Sequence, residues 1–354
     1  MHVAGQTEAD LVEWARGHDV TDAAARTVAR ALVAGFAGRP PRERPASALL
    51  AAARETFDSA LPRAHALRDP DGTIRFAVEL SDGNLVETVA IHQPVSHTRA
   101  KERWTLCLSS QVGCARGCVF CETGRLGLVR NLTAAEIVAQ YAVASRHLGV
   151  AVRNVVFMGM GEPLDNLEPV LRAIAVLREP AGFAVPERRI TVSTVGIVPR
   201  MDEFWARSRA NLAVSLHAID EGVRRTLLPV ARRFSLSDLR AAIARSPRTV
   251  LLQWTLIEGV NDSDADADTL ARFAQGLDVR INLIPLNPGP DPDQRAPSLE
   301  RCRRFQKRLA DHGLRALLRL PHGQSVGGAC GQLAGSLRVQ AEARPSARDG
   351  CTAG

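Results

Sequence analysis

The segment Gly113-Cys114-Ala115-Arg116-Gly117-Cys118-Val119-Phe120-Cys121 puts three thiols at CxxxCxxC spacing on one short, glycine-bearing loop. Three thiolates so spaced can converge on a single metal site. A structural zinc site wants four ligands, usually in two CxxC-like pairs, and the nearest fourth thiol, Cys107, lies seven residues back inside an apolar run. Ferredoxin clusters also take four cysteines, at a different spacing. Three ligands with an aromatic before the third fit a [4Fe–4S] cluster with one iron left open, and zinc stands well behind. Other reactive side chains lie in short segments that each end an apolar run. Phe157-Met158-Gly159-Met160-Gly161-Glu162-Pro163 offers glycines for close backbone approach and a carboxylate suited to an ammonium group. It is not a dinucleotide fingerprint, because the third glycine is absent. Ile190-Thr191-Val192-Ser193-Thr194-Val195-Gly196, Leu212-Ala213-Val214-Ser215-Leu216-His217 and Asn282-Leu283-Ile284-Pro285-Leu286-Asn287-Pro288 likewise end in small hydrogen-bonding residues.

Strands must hold these loops. After Arg103, short apolar runs over 104–108, 154–158, 190–193, 212–216, 251–257 and 279–284 alternate with helical periodicity, for example over 133–148, 166–177 and 237–244. Repeated βα units of this length predict a parallel sheet, and six of them an open or closed βα barrel. In such barrels chemistry sits at the carboxyl edge of the strands, where every segment above falls. Upstream, residues 7–38 read as helical, 39–45 as a Pro-rich linker, and 48–57 as a helix with Ser47 at its cap. Residues 74–80 and 85–91 read as a hairpin turned at Ser81-Asp82-Gly83-Asn84. The expected organisation is a helical accessory domain over 1–70, a β-hairpin extension over 71–100, a barrel over 101–340 and a disordered tail over 341–354.

Composition frames this α/β reading. Of 354 residues, 45% are hydrophobic and 23% charged, which excludes a disordered chain. No apolar run approaches the ~18–20 residues of a membrane span, and the polar, acid-bearing N-terminus matches neither a secretory signal nor a transit peptide. A cytoplasmic protein is expected. The net charge of +7 is compatible with a nucleic-acid partner. Lys101 and Lys307 are the only lysines, and the planar arginine fork suits phosphates and base edges. Arg224–Arg225, Arg232–Arg233 and Arg301–Arg303–Arg304 are candidate phosphate contacts, although a solvated helix face is the plainer reading of each. The seven cysteines are Cys107, Cys114, Cys118, Cys121, Cys302, Cys330 and Cys351. An odd count without an export signal argues against a disulfide framework.

The cysteine triplet at the end of the first barrel strand is the fingerprint of the radical S-adenosylmethionine (SAM) superfamily, which this sequence resembles. The resemblance implies a partial (β/α)6 barrel with a small helical N-terminal accessory domain. It also implies an open iron that chelates the amino and carboxylate groups of SAM and passes an electron into its sulfonium. The resulting 5′-deoxyadenosyl radical takes hydrogen from unactivated C–H bonds, chemistry that a cofactor supplies and a protein positions.

A longer set of segments resembles one family within it, the RlmN/Cfr adenosine methyltransferases. These are Thr105-Leu106-Cys107-Leu108-Ser109-Ser110-Gln111-Val112-Gly113-Cys114, Arg130-Asn131-Leu132-Thr133, the Gly-Met-Gly-Glu-Pro loop, the Ser-Thr-Val-Gly and Ser-Leu-His segments, Asn261-Asp262-Ser263 and Ala329-Cys330-Gly331-Gln332-Leu333, within residues 85–338. The resemblance implies that Cys114, Cys118 and Cys121 hold the cluster, and that Gly161, Glu162, Ser193, Ser215, Leu216, His217 and Asn287 contact SAM. It implies that Cys330 takes a methyl from one SAM to become S-methylcysteine. A second SAM, spent in the same turnover, is cleaved, and its radical takes hydrogen from that methyl. The carbon then adds to an adenine ring, leaving a covalent protein–RNA adduct. Glu87 accepts the ring proton, and Cys107 attacks the Cys330 sulfur, forming a transient disulfide and releasing methylated adenosine. Adenine C2 and C8 are poor nucleophiles that cannot simply displace methyl from a sulfonium, so a tethered carbon and a thiolate to cut the tether make chemical sense. The implied partners are 23S ribosomal RNA, with transfer RNA as a second candidate, and an electron donor such as flavodoxin or ferredoxin. C2 is favoured over C8, and the enzyme is expected to be monomeric and free of membranes.

Read alone, Glu87 is an exposed strand glutamate, His217 a satisfied structural histidine and Cys330 a buried hydrophobe, although the glycines around Cys330 argue for exposure. Three segments depart from the family pattern. Glu122 stands where alanine is usual, His322-Gly323-Gln324-Ser325 where Arg-Gly-x-Asp is usual, and the Glu87 strand ends Ala90-Ile91-His92 rather than in an aromatic and a proline. None removes a catalytic position. The alternatives are a family member drifted to another substrate and a non-catalytic iron–sulfur or zinc module that binds RNA.

Overall fold

In a computed structural model, which describes residues 1–95, 101–289 and 291–333, the apolar runs after Arg103 pair as parallel strands. The tail over 341–354, with Cys351, lies outside the described residues. In chain order the strands are β1 Ala64–Arg68, β2 Ile74–Glu79, β3 Leu85–Gln93, β4 Arg103–Cys107, β5 Gln111–Cys114, β6 Gly127–Asn131, β7 Asn154–Phe157, β8 Ile190–Thr194, β9 Asn211–Ser215, β10 Val250–Leu256, β11 Val279–Pro285 and β12 Ala316–Leu318. Ten of them form one sheet in the order β1-β2-β3-β4-β7-β8-β9-β10-β11-β12. The strands from β4 to β12 are parallel neighbours, and β1 to β4 are antiparallel ones. The fold is therefore an open βα barrel, extended at one edge by an antiparallel ribbon.

Local sequence explains the elements. β10 is buried along almost its whole length, as a parallel strand covered on both faces must be. The helices Ala134–Leu148, Leu236–Ala244 and Asp264–Ala274 each start with a reciprocal capping box, Thr133 with Glu136, Ser235 with Asp238 and Ser263 with Asp266. These caps fix where a carboxyl-edge loop ends and a helix begins.

Four features depart from the sequence reading. Residues 7–38 form two helices, Glu8–Arg16 and Asp22–Phe36, because Asp19 takes a positive φ and Thr21 caps a new start. β1 lies inside the region expected to be helical; its side chains are largely exposed, so no apolar alternation announces it. β12 adds a seventh parallel strand, too short at three residues to show periodicity. Finally, β5 and β6 pair as a small hairpin whose connection carries the CxxxCxxC loop. The N-terminal helices share one apolar core with the barrel: Leu11, Val28 and Phe36 join Tyr141 and Phe183 in it.

The hairpin depends on glycine at one position. Gly113 has φ +77°, and a Cβ there would lie 1.9 Å from the Gly127 carbonyl oxygen. Gly113→Ala is expected to break the β5–β6 pairing and lower the melting temperature by several degrees. A wild-type thermal scan would show that the register shift at Val112/Gly113 is not needed.

Candidate active site

Cys114 ends β5, and Cys118 and Cys121 follow in the connection, all three half-buried. Cys121 also sits at the N-terminus of the short helix Glu122–Arg125. Burial pushes the Cys118 thiol well up, and the neighbouring Cys121 and Cys114 thiols push it further. Burial likewise raises Cys121, and takes Cys114 up to about 12 with Glu162 and Cys121 adding to it. Three thiols that oppose one another's ionisation give up their protons together only to a cation among them. Among the described residues, no three His, Cys, Asp or Glu side chains are placed to share one metal ion. A [4Fe–4S] cluster is held by cysteine thiolates, and three thiols on one loop fit that donor set.

The carboxyl edges of β7, β8, β9 and β11 surround that loop. Gly159 and Gly161 let the loop after β7 pack on 108–111: a Cβ at Gly161 would fall 2.6 Å from the Gln111 Cβ, and one at Gly159 would fall 2.8 Å from the Leu108 oxygen. Glu162 is buried. Its two oxygens accept the Leu164 and Val195 amides at 3.0 and 2.8 Å, and its own N–H donates to Gln111 Oε1 at 2.8 Å. Burial pushes its carboxyl up to about 7 against those hydrogen bonds. The carboxylate read as a partner for an ammonium group thus already ties two strand ends together.

Ser193 and Ser215 are half-buried in β8 and β9, and Leu216 is fully buried beyond β9. His217 holds φ +59°, accepts the Thr255 amide on Nδ1 at 2.9 Å and stands edge-on to Phe120, 4.8 Å between ring centres. Burial, then the charge of Arg224, lowers its imidazole to about 3. The neutral ring therefore buttresses the cysteine loop.

A second group of residues gathers beside this one. Glu87, read by itself as exposed, is buried in β3, and its Oε1 lies 2.8 Å from Arg75 Nη2. Arg75 pairs with Val89 and Ala77 with Glu87, so the two are diagonal neighbours on one face of the ribbon. Cys107 ends β4 opposite Val89 and is buried. Ser109 Oγ donates to the Glu87 carbonyl and Thr88 Oγ1 to the Cys107 carbonyl, each at 2.5 Å. Burial raises the Cys107 thiol far above its ordinary value, and the Cys330 thiol adds to that. Cys330 is exposed, as its glycine neighbours suggested, but opens into a crowded cleft. Burial among those atoms raises its thiol, and Cys121 raises it further. The Cys121, Cys330 and Cys107 thiols thus interact in series.

The loop carrying Cys330 is anchored on three sides. Gly331 accepts the Glu122 amide at 2.8 Å and Leu333 the Thr123 hydroxyl at 2.9 Å. Asn287 donates to the Cys330 carbonyl at 3.0 Å while accepting from Gln324 at 2.9 Å. Asp69, in the β1–β2 turn, takes the Ser325 amide and hydroxyl at 2.9 and 2.6 Å; Asp71 takes the Gly323 amide at 3.0 Å and meets His322 at 3.1 Å. The departing segment His322–Ser325 is therefore an internal clasp. Burial raises Asp71, but hydrogen bonds from Thr73, Gly323 and His322 outweigh it and hold the carboxyl at about 2.

Sequence reasoning passed over Asp69, Asp71 and Arg75. The signal for Arg75 was an arginine between Ile74 and Phe76 in an apolar strand. Two of the candidate phosphate clusters are largely committed elsewhere: Arg224 is buried with Nη2 3.3 Å from the Val195 oxygen, and Arg301 and Arg304 pair with Asp262 and Asp264.

Residues 108–271 match the radical SAM superfamily family model. The chain is 49% identical over 277 residues to a probable RNA methyltransferase of Sorangium cellulosum, covering 76% of this chain and 68% of that protein. It is 45% identical over 283 residues to the dual-specificity RNA methyltransferase RlmN of Syntrophotalea carbinolica, covering 79% and 74%. The crystal structure of a radical SAM methyltransferase from Sphaerobacter thermophilus superposes with a TM-score of 0.83 at 38% identity, covering 94% of this chain and 99% of that one.

Anaerobic reconstitution with iron and sulfide is expected to load about four irons per chain, and Cys118→Ala to keep less than a quarter of that. Stoichiometric zinc with no sulfide would contradict the fit.

Proposed function

This chain belongs to the RlmN family of radical SAM RNA methyltransferases, and from that premise we propose that it methylates C2 of an adenosine in 23S ribosomal RNA by way of Cys330. Transfer RNA is the second substrate, a reading that the dual-specificity names of its relatives support. Cys114, Cys118 and Cys121 would hold a [4Fe–4S] cluster, which together with SAM would supply a radical able to abstract hydrogen.

The remaining work falls to the chain's own side chains. Cys330 gives up its proton, displaces a methyl from a SAM sulfonium and holds the carbon on sulfur. Its place between Cys121 and Cys107 suits a carrier that must face both the cluster loop and the resolving thiol. Once the carbon is joined to adenine, Glu87 accepts the ring proton. Cys107 then attacks the Cys330 sulfur, the carbon–sulfur bond breaks, and the released carbon takes up a proton. Gly161, Glu162, Ser193, Ser215, Leu216, His217 and Asn287 form the SAM wall of this reading. Two SAM molecules are spent per turnover, and a flavodoxin- or ferredoxin-type donor feeds the cluster of a monomeric, cytoplasmic enzyme. No helix among the described residues is long and apolar enough to cross a membrane.

The observation that carries the proposal is the convergence of Glu87, Cys107 and Cys330 beside the cysteine triplet. The His322–Ser325 clasp, engaged with Asp69 and Asp71, gives no reason to prefer a drifted substrate. Cys107→Ala is expected to trap a covalent protein–RNA adduct on denaturing gels, with methylated RNA falling at least a hundredfold. Recovery of only free, fully methylated RNA would remove Cys107 from the mechanism. Glu87→Gln should still methylate Cys330, read as a 14 Da gain over the residue by peptide mass, while losing RNA turnover. Wild-type turnover in that variant would exclude Glu87 as the proton acceptor.

A further inference from the structure

We propose that Arg75 is a positioning residue of the methyl transfer: one guanidinium holds the Glu87 carboxylate and the Cys330-bearing loop in a single frame. The inference rests on the reading of Glu87 as proton acceptor and Cys330 as carbon carrier.

Arg75 is fully buried in β2, with apolar neighbours on either side in sequence. A guanidinium taken out of water needs a strong reason to be there, since its desolvation offsets much of the attraction of any one partner. Its two arms go to different parts of the site. Nη2 lies 2.8 Å from Glu87 Oε1, and Nη1 donates to the Val326 carbonyl at 2.5 Å. Val326 stands four residues before Cys330 and 251 positions from Arg75 in sequence. Burial weakens the hold of Arg75 on its proton while Glu87 strengthens it.

The fork has rigid internal geometry, so fixing one arm on the carboxylate fixes the loop carbonyl relative to it. That is the geometry this reaction needs. The base must meet a ring proton on a carbon tethered to Cys330, so the carboxylate and the thiol loop have to keep a constant separation. The adjacent cation also favours the ionised carboxylate, the only form able to accept a proton. The clasp made by Asp69 and Asp71 anchors the same loop from the same ribbon, so losing the arm to Val326 alone leaves the loop attached. A lysine could neutralise Glu87 but carries a single flexible ammonium in place of a fork.

The test uses reconstituted full-length holoenzyme with SAM, dithionite and a 23S RNA fragment. Cys330 methylation is read by peptide mass, adduct by denaturing gel and product by nucleoside mass spectrometry. Arg75→Met is expected to methylate Cys330 within about threefold of wild type, to lose RNA product at least a hundredfold and to accumulate protein–RNA adduct. Arg75→Lys is expected to recover at least tenfold of that loss while remaining below wild type. RNA product within threefold of wild type in Arg75→Met would overturn the proposal. So would parallel loss of Cys330 methylation and product with no adduct, the pattern of a merely structural arginine. If Arg75→Met does not fold, Arg75→Lys decides: wild-type product overturns the proposal, and a partial loss with adduct present supports it. Glu87→Gln, run alongside, separates the two levels, because full turnover there would sink the underlying reading of Glu87 rather than the role of Arg75.

Discussion

Burial of thiols in a medium that disfavours charge is the constraint around which this site is organised. Cys114, Cys118, Cys121, Cys107 and Cys330 all have their ionisation opposed by burial, and other thiols of the group add to it at every one but Cys121, where Glu122 does. In such surroundings a thiolate persists only where something positive meets it. In the function proposed for the chain, the triplet meets that need with iron. Cys107 and Cys330 lie outside the triplet as free thiols, and burial opposes their ionisation too.

The fold meets this constraint by joining two kinds of sheet. Parallel strands deliver loops to one edge, and those loops surround the cysteine triplet. Parallel topology alone would leave the far side of the cleft open. The antiparallel ribbon β1–β3 closes it, bringing Glu87 and Arg75 on one face and the Asp69–Asp71 turn at its end. Hydroxyl hydrogen bonds from Ser109 and Thr88 to backbone carbonyls then lock the ribbon to the first barrel strand at Glu87 and Cys107. The seam between the two sheet types is therefore where Glu87 and Cys107 meet.

Much of this was legible in the sequence, for definite reasons. Six barrel strands were readable because parallel strands buried on both faces are continuous apolar runs, and the helices between them carry Ser/Thr caps with acids three residues on. The cysteine spacing pointed to a cluster rather than zinc through ligand count alone. What was not legible depends on tertiary pairing. β1 has no apolar face of its own, β12 is three residues long, and the β5–β6 hairpin is set by a bulge and glycines rather than by alternation. Glu87 and Arg224 are both charged residues that composition places at the surface, and both are buried because a partner elsewhere in the chain receives them. The segment His322–Ser325 stood out in the sequence only as a departure from the family pattern. Its partners, Asp69 and Asp71, lie some 250 residues away and left no local trace.

The two thiols outside the triplet are held in unlike ways, and the difference matches the unlike duties proposed for them. Cys107 is the last residue of a central strand, paired with Val89 on one side and Val156 on the other. Moving it would mean breaking sheet hydrogen bonds on both flanks. Cys330 sits in a loop whose turns are made by Gly323, Gly327 and Gly331, all at positive φ, where backbone rotation carries little steric penalty. Carrying a carbon from a sulfonium to a base requires the sulfur to serve two places in succession, whereas cutting the tether requires a thiol that waits in one. A rigid strand end and a glycine-hinged loop are the backbone forms suited to those two requirements. The anchors at Asp69, Asp71, Arg75 and Asn287 then limit the freedom of that loop.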